Sequence, residues 1–530
     1  MRVKSIGFGI AYRIVFNYSL EMQFYRIFVC MFMAIFFGIS LSLIAEPFVA
    51  PDDPFIRHEI RLLGDEGGLD SLHNTWPLDL GGLSAMRSDT GMFFQTRLLD
   101  NRLSQEANSG WSPIFTTIGF ADDRVTARGF GPEPRSSFAT NASVSWMNDR
   151  FAAKLSLNAL YGIPRDWKGR KDEGFALDGS YIAARLGNWS ASFGQQERWW
   201  GPGWDGSLIL STNARPIPAI SIDRRIPEPF ETKWLSWIGP WSFHSFIGQM
   251  EDERDPAIDH PNHFLWGMRG EVAPTILDGL EIGFFRTLQL GGDGRDVRFE
   301  SFIDAFLSQD NYGGNTGLTD RSKEPGNQLA GIDLRWKVLD APIALYGQVA
   351  GEDEDNFLPN SLMFQYGLEG WTKLNDSTLR IFAEYADLTS YWWTGDPRTR
   401  NISYGHHIYG EGYRYRGRPI GHWADQDSQI LSLGGLLVND EGTGWGSTFR
   451  FGELNADPLR NAPPHQGSLG NSSVSDDVTT EYFSFDLYNA RQYPQYGLSV
   501  YTSIGWESLD VVGGSKDDGL SAFLSLTRTF

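Results

Sequence analysis

Hydrophobic and polar positions change period twice along this chain. Ile27 to Ala45 is 19 residues without a charge, preceded by Arg2, Lys4, Arg13 and Arg26. A basic region, an apolar block and a small residue at its end describe a secretory signal peptide over residues 1–45, with a retained membrane helix as the alternative. The text that follows, Glu46-Pro47 and Pro51-Asp52-Asp53-Pro54, carries no basic flank that would stop transfer, which favours cleavage. Residues 46–108 then read with a helical period. Ile56, Ile60 and Leu63 recur on one face, Pro54 suits a first turn and Gly67-Gly68 ends the run; a second helix is expected from Leu83 to Leu103. So few helices cannot enclose a core of their own, so they are expected to dock on the rest of the chain as a plug.

From about residue 113 the period becomes two. Leu498, Val500, Thr502, Ile504 and Trp506 alternate with Ser499, Tyr501, Ser503 and Glu507; Phe483, Phe485 and Leu487 alternate with Ser484, Asp486 and Tyr488. The last residues do the same, with Leu520, Ala522, Leu524, Leu526 and Phe530 against Ser521, Ser525, Thr527 and Thr529. We count 19 candidate strands, among them 174–186, 216–224, 230–238 and 241–250. An outer-membrane barrel requires an even number, so one assignment is surplus or two segments form one strand. Leu374-Asn375-Asp376-Ser377 is a tight turn, whereas 292–328, 391–428 and 455–477 are long and polar, the alternation of periplasmic turns and outer loops. A soluble sandwich shares the two-residue period but hides its apolar face against a second sheet.

Composition narrows these choices. Aromatic residues make up 14% of the chain, glycines number 59, and mean hydropathy is −0.31. No second apolar block of 18 residues follows the first, so helical spans are excluded and alternation must hide any membrane-facing surface. Removing residues 1–45 takes the net charge from −21 to −21 − 4 + 1 = −24 and removes Cys30, the one cysteine. Disulfides are thereby excluded from the exported chain, and the strongly acidic balance argues against nucleic acid as a partner. The expected fold is an all-β transmembrane barrel of about 18 antiparallel strands over residues 109–530, with a small N-terminal α-helical plug over 46–108.

Two stretches carry candidate chemistry. Gln196 to Arg224 sets Trp199, Trp200 and Trp204 around Gly201-Pro202-Gly203, then Leu208 to Leu210, Asn213, Arg215, Pro216 and Pro218; proline and glycine at this density rule out an ordinary central strand. Gly405 to His422 reads GHHIYGEGYRYRGRPIGH, and in extended form would place Tyr413 and Tyr415 on one side and Arg414 and Arg416 on the other. Aromatic rings suit sugar faces and guanidinium groups suit uronate carboxylates; the alternative is that both stretches brace the barrel. Both closely resemble the signature runs of the Wzi-type capsule assembly family, the second nearly residue for residue. The resemblance implies a plugged, 18-stranded outer-membrane lectin that helps attach capsular polysaccharide to the cell surface. It departs from the family mainly in 292–328 and 455–477.

The candidate polysaccharide-binding residues are Arg198, Trp199, Trp200, Trp204, Asn213, Arg215, Tyr413, Arg414, Tyr415 and Arg416. Arg198, Arg215, Arg224 and Arg225 are read as one basic group, and Arg414, Arg416 and Arg418 as another. The acidic runs at Glu251 to Glu253 and Glu352 to Asp355 read as solvated loop faces or divalent-ion bridges. His406, His407 and His422 lack a carboxylate or cysteine at ligand spacing, so no metal and no cofactor is expected. No nucleophile elbow, phosphate loop or zinc-hydrolase helix is present, so the chain is not expected to be an enzyme. A solute channel is the rival reading, and a polysaccharide-active enzyme the third. Expected partners are capsular or exopolysaccharide, outer-membrane lipid and lipopolysaccharide, and the assembly machinery that reads a terminal aromatic strand; the protein is expected to be a monomer in the outer membrane.

Overall fold

The structure, a computed structural model, describes residues 47–70, 72–88, 94–107, 114–120, 127–132, 138–162, 174–254, 256–257, 259–295, 326–355, 358–391, 403–456, 479–514 and 516–529. The signal segment, 296–325, 457–478 and Phe530 lie outside these residues, so the expectations placed there find no comparison.

One antiparallel sheet dominates. Its strands are β1 (Ile114–Phe120), β2 (Phe138–Met147), β3 (Phe151–Tyr161), β4 (Gly174–Ala176 and Tyr181–Leu186), β5 (Trp189–Gly194), β6 (Ala219–Arg224), β7 (Trp241–Gln249), β8 (Phe264–Val272) and β9 (Leu280–Leu290). They continue as β10 (Gly326–Lys337), β11 (Ile343–Asp355), β12 (Leu358–Leu374), β13 (Ser377–Tyr391), β14 (Gln429–Asn439), β15 (Thr443–Leu454), β16 (Thr480–Tyr493), β17 (Leu498–Val511) and β18 (Lys516–Thr529). The two pieces of β4 pair with the same strand, β3, so among the described residues the sheet has eighteen members. Each is hydrogen-bonded to its neighbours in sequence, and β18 pairs with β1, Leu524 opposite Gly119, so the ladder runs full circle.

The surplus among the nineteen expected strands is 230–238. Pro227, Pro229 and Pro240 remove ladder donors there, and Ser236–Ile238 forms a short 3₁₀ turn ending at Gly239, whose φ is 69°. The continuous helix expected from Leu83 to Leu103 is likewise two helices. These are α2 (Leu80–Met86) and α3 (Arg97–Ala107), with Arg87 between them extended and bridged to Leu69. Asp79 caps α2 by accepting from the Gly82 N–H at 2.7 Å. Glu59, on an earlier helix, accepts from the N–H groups of Leu98 and Leu99 and so starts α3.

That earlier helix, α1 (Pro54–Asp65), begins where expected. Asp53 accepts from the N–H groups of Phe55 and Ile56 at 2.8 and 3.2 Å, and Gly67 follows at a φ of 75°. Ile56, Ile60 and Leu63 are buried as the period requires, but so are Arg57, His58 and Arg61 on the opposite face. The polar face of this helix therefore meets protein instead of water.

The wall explains why. Ile332 and Leu334 of β10 are 41% and 44% exposed, while Asp333 and Arg335 between them are 2% exposed. On β12 and β13, Tyr366, Leu368 and Ile381 are exposed, whereas Gln365, Glu369, Arg380 and Glu384 are buried. Apolar side chains point outward and charged ones inward, the inverse of a soluble sandwich. Connections sort by end as well. Residues 187–188, 338–342, 375–376, 440–442 and 494–497 are short and lie at one end; 195–218, 250–263 and 392–428 are long and lie at the other, where 356–357 and 512–515 are short exceptions.

Candidate functional site

The two signature stretches meet in the interior although about two hundred residues separate them. Residues 195–218 join β5 to β6 and 392–428 join β13 to β14. Both originate at the long-connection end and turn inward, because their backbone polar groups find partners on the charged wall.

The Gly-Pro-Gly turn is held deepest. Glu384 of β13 accepts from three successive backbone N–H groups, those of Trp204 (2.6 Å), Asp205 (3.2 Å) and Gly206 (3.0 Å), and from the Tyr346 hydroxyl at 3.0 Å. A carboxylate in such a nest fixes the turn without any strand ladder. A Cβ on Gly203 would stand 2.2 Å from the Gly206 carbonyl oxygen, so this approach demands glycine. Trp204 donates its indole N–H to Glu369 at 2.7 Å and stacks on Phe382 at 5.6 Å. Arg57 and Arg61 of α1 lie over its ring, 4.7 and 4.6 Å from the centroid, and donate to the carbonyls of Gly203 and Pro202 at 2.7 and 2.5 Å.

Glu369 is the centre of this layer. Arg335 and Arg380 donate to it at 2.7 and 2.8 Å, with Arg61 3.4 Å away. Asp65 at the end of α1 joins the same two wall arginines at 2.7 and 2.9 Å. His58 donates through Nε2 to the Thr378 hydroxyl at 2.9 Å while its Nδ1 accepts from Arg380 at 3.1 Å, an arrangement that fixes the neutral ring.

The layer above is different in kind. Leu208, Ile209 and Leu210 are buried under Tyr404 and Tyr413, whose hydroxyls donate to the carbonyls of Leu208 and Ile209 at 2.7 and 3.0 Å. Ser211 takes a backbone bond to Ile420 at 2.9 Å. Asn213 donates to the Pro419 carbonyl at 3.0 Å and accepts from Arg418 at 2.7 Å. Arg414–Tyr415 and Arg418–Pro419 are the arms of a hairpin whose two turn residues, Arg416 and Gly417, have φ of 48° and 76°. The alternating rings and guanidiniums expected of an extended run are therefore folded back. Arg414 is spent on Asp425, which it grips with both arms at 2.7 to 3.0 Å.

Of the ten expected residues, Trp199, Trp200, Trp204, Asn213, Tyr413, Arg414 and Tyr415 are buried inside this unit, and Arg198, Arg215 and Arg416 are partly accessible. Trp199 pairs its backbone with Trp76 and Trp200 with Thr75, while Trp200 also takes the Leu210 carbonyl at 3.0 Å, so this pair stitches the two layers together. Arg198 donates to Ser221 at 2.8 Å and lies 4.4 Å over Phe246; burial lowers its pKa to about 10, which leaves it charged at neutral pH. Arg215 holds Asp178 at 2.9 and 3.0 Å. Arg198 and Arg215 line one shallow cleft, with Thr212, Pro216 and Ile420 among its walls.

Two basic and acidic groupings need correction. Arg224 and Arg225 lie at the far end of β6 from Arg198 and Arg215, and Arg225 is bound to Asp79 at 3.0 Å, so the four are not one group. Six extended residues, roughly 20 Å, separate them. Glu251 and Glu352 are buried, not solvated: Glu251 accepts from the Arg416 N–H at 3.0 Å, and Glu352 from that of Tyr404. The side chains of 353–355 lie outside the described residues, and among those described no group of three or more metal-ligating side chains occurs. Sequence reading missed Glu369, Glu384, Gln348 and Gln365, the wall residues that grip the first stretch; their signal is a polar side chain at the inward phase of an otherwise apolar alternation.

Comparison with known proteins follows the same geography. The family model described as "Capsule assembly protein Wzi" matches residues 108–437, which takes in both signature stretches. An uncharacterized 55.8 kDa protein in the cps region of Klebsiella pneumoniae is 33% identical over 351 residues, 64% of this chain; the match spans 65% of that relative's own length. Among solved structures, Wzi of Escherichia coli, an outer membrane protein involved in group 1 capsule assembly and a carbohydrate-binding β-barrel, superposes with a TM-score of 0.74 at 25% identity, covering 92% of this chain and all of that one.

Proposed function

We propose a function from one premise, that this chain belongs to the capsule assembly protein Wzi family. It is an outer-membrane barrel, closed from one end by its N-terminal helices and from the other by its own long connections, that binds capsular or exopolysaccharide at the outer surface and assists its attachment. No step of covalent chemistry is assigned to it.

The observation that carries this reading is the filled interior. A solute channel needs a path, yet the Trp199 to Leu210 stretch lies across the barrel between Glu384 and Glu369 on one side and the tyrosine layer on the other. What such a barrel can offer is its outer rim. Seven of the ten candidate residues then act by shaping that rim from within, and Arg198, Arg215 and Arg416 act by contact. The carbohydrate-binding relative of the same family supports a saccharide as the partner, and the guanidinium groups suit an acidic one.

The test is retention of the organism's own purified capsular polymer by detergent-solubilised protein, alongside conductance in planar bilayers. The proposal expects saturable binding and no steady large openings. Large openings from the intact chain, with no polymer retained, would overturn it in favour of a channel.

A further inference from the structure

Residues 225–240, which replace the surplus strand, fold against the outside of the wall at the short-turn end. The alternation of β7 buries Ser242, Phe246 and Gly248 and leaves Trp241 and Phe243 outward; that of β5 buries Ser190 and Ser192 and leaves Trp189 outward. Phe230 stacks on Trp241 with centroids 4.8 Å apart and planes at 10°, and Trp189 stands edge-on to Trp241 and Phe243 at 6.5 and 6.3 Å. The segment is tied along the rim, the Trp237 carbonyl accepting from Thr275 at 3.0 Å and the Ile226 carbonyl from Asn188 at 2.9 Å. From this base Trp234, Leu235 and Trp237 project, 89%, 40% and 52% exposed, beside Ile276 at 77%. The Arg224 guanidinium lies 3.8 Å over Trp241, and Lys233 is exposed next to Trp234.

The hydrogen-bonded strands of this sector are also short. The inner piece of β4, β5 and β6 have six residues each, whereas β12 and β13 have 17 and 15. Six residues extend about 20 Å, and less when tilted; the apolar band of such barrels is about 25 Å tall. A short wall in a membrane of ordinary thickness leaves a strip of lipid uncovered on one side.

Resting on the outer-membrane reading above, we propose that residues 225–240 form a membrane-seated foot. Trp234, Leu235 and Trp237 lie in the headgroup and upper acyl region of the inner leaflet and continue the lipid-facing surface of Ile220 and Ile222, while Arg224 and Lys233 meet phospholipid phosphates. Indoles fit that depth because each joins an apolar body to a polar N–H. A soluble periplasmic protein docking on the same surface is the competing outcome.

Depth measurement by spin label separates them, because the one native cysteine, Cys30, lies in the segment expected to be removed on export and an introduced cysteine is then the single labelling site. Nitroxides at Trp234→Cys and Trp237→Cys are compared, in phospholipid vesicles, with Phe284→Cys on the lipid-facing wall and Asp376→Cys in an aqueous turn. The expected ratio of collisions with oxygen to collisions with a water-soluble nickel chelate at 234 and 237 is several-fold above that at 376 and close to that at 284. Values at 234 and 237 equal to that at 376, with 284 still in lipid, overturn the foot and leave the barrel. A water-exposed 284 overturns the membrane reading itself. Independently, vesicles of brominated phospholipid are expected to quench the intact chain more than the Trp234→Phe, Trp237→Phe double variant; equal quenching counts against the foot.

Discussion

The interior has two layers that hold the same stretch of chain by opposite means. The layer facing the short turns is ionic: Arg57, Arg61 and Asp65 of α1 interlock with Glu369, Arg335 and Arg380 of the wall, and the Trp204 ring among them is covered by guanidiniums. The layer facing the long connections holds the stretch by neutral contacts, aliphatic Leu208 to Leu210 under tyrosines that donate to backbone carbonyls, and keeps its own ion pair, Arg414 with Asp425, within the later stretch. Buried charge rewards an intact partner set and punishes any missing member, since a lone ion in the interior is costly. Apolar burial with neutral hydrogen bonds degrades gradually. The helical element is thus fastened by a lock that releases as a whole, and the looped element by contacts that weaken one at a time.

The largest effect is expected from Glu369→Gln. It leaves Arg335 and Arg380 to share Asp65 and takes the carboxylate from beside Arg61, at a cost on the order of 3–5 kcal/mol. Protease access to residues 46–108 and bilayer conductance should both rise, while Tyr413 and its layer stay folded; unchanged access would show that the ionic layer is not what holds the helices. Next in size, Tyr413→Phe removes the hydroxyl donated to Ile209 and strands a buried carbonyl, about 1–3 kcal/mol. Thermal unfolding in detergent should shift downward with no gain in conductance, and a conductance gain would merge the two layers into one unit.

A third prediction sets pH against the helical lock. Burial pushes the Glu59 carboxyl up to about 8, against the lowering pull of the Leu99 and Leu98 N–H groups. An acid whose pKa rises on folding lends most stability below its unfolded value near 4.5 and loses it as pH climbs through 8. Amide exchange in α3 should therefore accelerate between about pH 5 and 8, and Glu59→Gln should flatten that slope. Exchange independent of pH in the native chain, after correction for intrinsic rates, would contradict it.

The smallest effect belongs to the rim. Arg416→Ala and Arg198→Ala should each lower retention of an acidic polymer a few-fold and steepen nothing in thermal unfolding, with binding falling as monovalent salt rises. Binding that resists salt and disappears with chelator would move the contact to bridging cations.

Periodicity exposed the strands, the helix at Pro54 and the turn at Asn375-Asp376 because each rests on neighbours in sequence: alternation, a cap, a positive φ. The same local signals also misled. Trp234 to Ile238 alternates like a strand, but the prolines around it deny the donors; Leu83 to Leu103 looked like one helix until Glu59, about forty residues away, supplied the start of α3.

What the sequence alone determined is therefore the wall and its membership: two-residue alternation and a family whose signature can be read in Trp199 to Asn213 and Tyr413 to Arg418. Tertiary structure decided what those signatures do. A tryptophan or arginine in a sequence has no inside or outside, and only closure of the sheet shows that Trp204 faces Glu369, that Arg414 is spent on Asp425, and that Arg198, Arg215 and Arg416 keep a share of the surface. The physical reason is that such partnerships join residues 11 to 315 positions apart, as Arg414 to Asp425 and Arg380 to Asp65 do, and no period along the chain records them.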